Sequence, residues 1–70
     1  MASSNAHGHI VNFDEGARYG FNHLRDLDYS KAEVLFNQAV SNGSTIFECD
    51  YGVFKLSWSG GSNYNVSKKY

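Results

Sequence analysis

Tyr19 and Phe21 flank a single glycine in the run ARYGFN, residues 17–22. In an extended segment successive side chains alternate between faces, so residues at i and i+2 share one. The two rings would then stand roughly 7 Å apart. They would form either the margin of a core or a flat platform on which another planar group stacks. Gly20 between them would add no side chain to the opposite face.

Other reactive residue types are present without the spacing their chemistry needs. His7, His9 and His23 are joined by no Cys-x-x-Cys or His-x-x-x-His pattern of the kind that holds zinc. Asp26-x-Asp28-x-Ser30 begins like a calcium loop, but Lys31 stands at its sixth position and Asn37 at its twelfth. The loop needs Gly and Glu there. Cys49 has acids on both sides and no base to activate it. No catalytic triad or phosphate loop assembles, and the sequence implies no enzyme, cofactor or metal.

The elements that must carry the rings are short. Seventy residues make one domain, and a chain of that size buries only about 60% of its unfolded surface. With Cys49 as the single cysteine, no disulfide supports it. One thiol and no hydrophobic leader point to a reducing cytoplasm, and no apolar run approaches the ~20 residues that span a bilayer. Net charge is −1, so composition neither demands nor excludes a nucleic acid. Aromatic residues make up 16% of the chain, enough to fill a small core with some left at the surface.

Residues 1–7 read as a loose polar tail, residues 8–67 as the domain and residues 68–70 as a short C-terminal tail. HIVNF (residues 9–13), an Asp14-Glu15-Gly16 turn and ARYGFN read as one hairpin. TIFEC and VFKLSW around Asp50-Tyr51-Gly52 read as another. There Phe54, Leu56 and Trp58 alternate with Lys55 and Ser57. YNVSKKY reads as a last strand. Residues 30–43 admit a different pattern. Ala32, Leu35, Phe36, Ala39 and Val40 lie at helical spacing, Ser30 and Glu33 fit a capping box, and Gly43 fits a C-terminal stop. That pattern defines an alternative α+β architecture, two hairpins flanking one helix at residues 31–41.

The gapless run GHIVNFDEGARYGFN, residues 8–22, resembles the start of a cold-shock domain. That family opens with a glycine, a strand ending in Trp-Phe, an acidic turn, and Lys-Gly-aromatic-Gly-Phe. Gly8, Ile10, Phe13, Tyr19, Gly20 and Phe21 fall in register with it. Glu33 to Gln38, followed by Ala39-Val40, is similar to a later strand and turn of the family. Gly52 with Leu56 and Trp58, and Asn65-Val66, resemble the fourth and fifth strands. The resemblance implies an all-β, five-stranded OB-fold barrel in which residues 33–38 are a strand. It implies a domain that binds single-stranded RNA or DNA with low sequence preference and loosens RNA secondary structure by trapping unpaired bases; a monomer is expected rather than an oligomer.

By that match Phe13, Tyr19 and Phe21 are the first candidates for base stacking, a contact worth about 1–3 kcal/mol per base. Asn37 and Gln38 stand where the family places base-contacting side chains. Arg18 replaces a glycine, and its charge could stand in for a missing lysine. Asn12 occupies the place of the family's exposed Trp, and Val11 and Ala17 those of flanking lysines. These departures imply weaker binding with a flatter salt dependence. They also favour a rival function: a small protein-interaction module or inhibitor whose exposed rings meet another protein, since Tyr, Trp and Phe are enriched at such interfaces.

Overall fold

The computed structural model describes residues 2–69; Met1 and Tyr70, at the far ends of the two expected tails, lie outside the described residues. The chain runs β1 (Ala2–Ala6), β2 (His9–Phe13), a 3-10 turn (Glu15–Ala17), α1 (Arg18–Asp26), α2 (Tyr29–Asn42), β3 (Ser44–Cys49), β4 (Gly52–Gly60) and β5 (Asn63–Lys68). The strands form one mixed sheet in the order β1-β2-β5-β4-β3. Every neighbouring pair is antiparallel except β2 and β5, which run parallel with Ile10 opposite Asn63 and Phe13 opposite Val66.

The β-rich character read from the sequence is present, but the sheet is open, with β1 and β3 as its edges. Both helices lie between β2 and β3 in the chain, so β2 finds its partner in β5 at the far end of the sequence. Residues 2–6, expected as part of a loose tail, form the edge strand β1. It turns into β2 through His7 (φ 54°) and Gly8 (φ 84°). Two successive residues at positive φ are what a tight two-residue hairpin asks for.

Two segments expected as strands are helices. Residues 17–22, read as the second strand of a hairpin, are the last residue of the 3-10 turn, Ala17, and the start of α1. Asp14 caps the preceding turn, its side chain accepting from the Ala17 N–H at 3.1 Å. Ala17, Gly20, Phe21 and Leu24 are buried, the i, i+3, i+4, i+7 stripe of an amphipathic helix. Residues 33–38, a strand by the cold-shock resemblance, lie inside α2. Ala32, Phe36 and Ala39 supply its buried stripe, and Gly43 closes it at φ 85°, in the left-handed region. The helical alternative read from the sequence therefore holds for this segment. Its N-cap is Asp28, however, rather than Ser30.

The core lies between the helices and one face of the sheet. Val11, Phe47, Phe54, Leu56, Tyr64 and Val66 rise from the strands to meet Phe21, Leu24 and Phe36. Fully burying side chains of this size contributes about 1.5–3 kcal/mol each relative to exposure. Across the sheet's other face runs a row of uncharged side chains in register: Ser3, Asn12, Asn65, Ser57 and Ser44.

Candidate interaction surface

The i, i+2 rings do not share a face. On a helix two positions turn a side chain through about 200°, so Tyr19 and Phe21 lie on opposite flanks of α1. Phe21 is 2% exposed and stacks on Phe13 of β2 at 4.5 Å between ring centroids, 15° between planes. The Arg25 guanidinium sits 5.8 Å from the Phe21 centroid. On the other flank His23, at i+4 from Tyr19, stacks on Phe47 of β3 at 6.0 Å. Thus α1 crosses the sheet, and Phe21 on its underside packs against the partly buried Phe13 of β2.

Tyr19 remains at the surface, 54% exposed, and its partner is one the sequence reading gave no role: Tyr51, 59% exposed. The rings stack with centroids 4.6 Å apart and planes 18° from parallel. Tyr51 occupies the two-residue turn between β3 and β4, and that turn is held by the pairing of Cys49 with Gly52. The stack is therefore anchored at both ends, by the first turn of α1 and by a tight hairpin. A large side chain in a turn this short has little core to reach, and that was the available sequence signal for Tyr51. Arg18, the residue before Tyr19, is exposed and lies 3.7 Å from Glu15. Phe13, Arg18, Tyr19 and Phe21 thus cluster around α1.

Asn37 and Gln38 do not join that cluster. Both are exposed on α2, and the Gln38 side-chain oxygen accepts from the Thr45 hydroxyl of β3 at 2.9 Å. Trp58, expected on the buried side of its strand, is exposed and donates its indole N–H to the Gly61 carbonyl at 3.0 Å.

The three histidines are apart and separately engaged. His7 Nε2 donates to the Leu24 carbonyl at 3.1 Å, which ties the β1–β2 turn to α1. His9 Nε2 lies 3.3 Å from Glu33 Oε2. The His9 ring packs against Phe36 and Tyr64 at centroid distances of 4.2 and 5.1 Å. Its Nδ1 is buried without a hydrogen-bond partner. Burial raises the Tyr64 hydroxyl above its usual pKa, and the Glu33 carboxylate adds to the rise. This cluster pins α2 to the sheet. Among the described residues no group of three His, Cys, Asp or Glu is placed to hold a metal ion. No helix among them is long and apolar enough to cross a membrane. No pocket is enclosed by the described residues.

Comparison with protein-family models, curated proteins and solved structures returns no match.

Proposed function

We propose that this chain is a small protein-interaction module whose contact surface centres on Tyr19 and Tyr51. The observation that carries the reading is the solvent-facing tyrosine stack at the meeting of α1 and the β3–β4 turn. Two rings held by a helix and a hairpin present a rigid apolar area with hydroxyl handles, at little entropic cost on binding. Tyr and Arg are enriched among residues that dominate interface energies, and Arg18 stands beside Tyr19. The local charge is mixed, with Glu15, Glu48 and Asp50 close by in sequence. That suits a protein partner better than a polyphosphate backbone, which requires clustered cations.

Single-stranded nucleic-acid binding, which the cold-shock resemblance implies, is the competing function. Of its three expected stacking rings, Tyr19 is the exposed one; Phe21 is in the core and Phe13 packs against it. The test has two arms. A photoreactive group placed at Tyr51 is irradiated in extract of the source cells, and the purified protein is titrated with an oligo-pyrimidine strand at low salt. The interaction reading expects one stoichiometric protein crosslink that Tyr19→Ala abolishes, with no change of fluorescence on titration. Quenching by the oligonucleotide that disappears in Tyr19→Ala would transfer the function to nucleic-acid binding.

A further inference from the structure

The outer edge of β3 has a composition and phase that specify its occupant. Cys49 pairs with Gly52 across the two-residue turn, and further up the hairpin the Trp58 N–H donates to the Gly43 carbonyl at 3.1 Å. Antiparallel pairs alternate between bonded and non-bonded. Gly43, Thr45, Phe47 and Cys49 therefore aim their backbone groups at β4. Ser44, Ile46 and Glu48 aim theirs outward, and β3 is the last strand of the sheet. An outward row of N–H and C=O groups is a template for one kind of ligand, another extended strand.

Sheet edges are ordinarily blunted by lysine, proline, a bulge or brevity. β3 carries no lysine or proline and one charge, Glu48 near its end, and its register with β4 is unbroken from Ser44 opposite Ser57 to Cys49 opposite Gly52. Its Ile46 side chain is 46% exposed on the uncovered face of the sheet. The opposite edge, β1, is smaller in every respect. Its outward residues are Ser3 and Asn5, and its sequence ASSNA offers no large apolar side chain.

We infer that β3 pairs antiparallel with β3 of a second copy of this chain, with Ile46 opposite Ile46 across a two-fold axis. The register follows from the phase. Centred on Ile46, all three outward residues find reciprocal backbone partners: Ile46 with Ile46, and Ser44 with Glu48 in both directions. Thr45 then faces Phe47 on the helix side. Centred on Phe47, Ile46 meets Glu48 and Ser44 is left without a partner in β3. Centred on Glu48, two carboxylates oppose one another, which destabilises a cross-strand pair. The Ile46 register joins two apolar side chains and sets no like charges face to face. The two sheets become one, with the helix layers on the same side. This pairing goes beyond the role of Tyr19 and Tyr51, and neither depends on the other.

The test follows mass and backbone protection together, by sedimentation velocity and amide hydrogen exchange over a roughly hundredfold range of concentration. The mass moves from one chain toward two as concentration rises. The amides of Ser44, Ile46 and Glu48 gain protection in step, while those of Ser3 and Asn5 do not. Ile46→Lys puts two ammonium groups at the seam and weakens association by about tenfold or more, with an unchanged circular dichroism spectrum. A single-chain mass at every concentration would overturn the pairing and reassign the edge to a strand from another protein. New protection on β1 instead of β3 would overturn it as well, and so would a folded Ile46→Lys that associates like wild type.

Discussion

Gly20→Ala separates what helix propensity demands from what packing allows. Glycine inside a helix is about 1 kcal/mol less favourable than alanine. On an isolated α1, the substitution would therefore stabilise. In the folded protein a Cβ at position 20 would fall 2.4 Å from Phe54 Cδ2 and 2.5 Å from Phe54 Cγ. Carbon atoms at rest sit about 3.5–4.0 Å apart, so ring and helix must separate by about 1 Å. Phe54 has little room to give, because it is 1% exposed and packs on Phe47 with centroids 5.8 Å apart. Overpacking of a dense core costs about 1–3 kcal/mol. Against the propensity gain of about 1 kcal/mol, the net expectation is a loss of about 0–2 kcal/mol. In a domain of this size each kcal/mol lowers Tm by about 4–8 °C. Thermal and guanidinium unfolding followed by circular dichroism measure it. The coupling is explicit in Phe54→Leu: with the ring gone, Gly20→Ala costs at least about 1 kcal/mol less than in wild type. A Gly20→Ala protein more stable than wild type, or a cost indifferent to Phe54→Leu, would refute the close approach of α1 to β4.

Three further outcomes follow from the same geometry. Because the Tyr64 pKa is raised in the folded state by burial and then by Glu33, its contribution to stability is complete below the unfolded value of about 10. It is lost as pH rises through the folded value; Tm should therefore fall through the alkaline range, and Tyr64→Phe should flatten that fall. Asp14→Ala removes the bond to the Ala17 N–H and should cost about 0.5–2 kcal/mol in denaturant unfolding, whereas Asp14→Asn should retain most of it. Tyr51→Ser, at an exposed turn position, should shift stability by no more than about 0.5 kcal/mol while abolishing the crosslink made when the photoreactive group is placed at Tyr19 instead.

The stripe of α2 is legible in the sequence as helical spacing, although the cold-shock resemblance placed residues 33–38 on a strand. Ala32, Phe36 and Ala39 are buried, and Gly43 takes the left-handed conformation that its place after the last turn calls for. The strands β4 and β5 are legible for a similar reason. Phe54 and Leu56 alternate with Lys55 and Ser57 and are buried, whereas Trp58, the third apolar residue of that set, is exposed near the strand's end. The helix α1 is hidden by its own interior glycine. Ala17, Phe21 and Leu24 hold the helical stripe, but Gly20 occupies a core-facing position and lowers the local preference for helix. The cold-shock resemblance then drew Tyr19 and Phe21 onto a strand. The place of Tyr51 in a short turn is a local signal of exposure, but its pairing with Tyr19 is beyond local reading, because the two are distant in the chain.

Length, charge, the lone cysteine, the amphipathic stripe of α2 and the alternation of the last strands are properties of neighbouring residues, and local physics suffices to read them. Which strands adjoin is not local. The parallel union of β2 with β5 leaves β1 and β3 as edges, and it exists because two helices between β2 and β3 cover one face of the sheet. The same arrangement explains Gly20, whose missing side chain answers to a ring 34 positions away on β4. Residues far apart in the chain can constrain one another only after the core has closed over them. Tertiary packing therefore decided that Phe21 turned inward and Tyr19 remained in water.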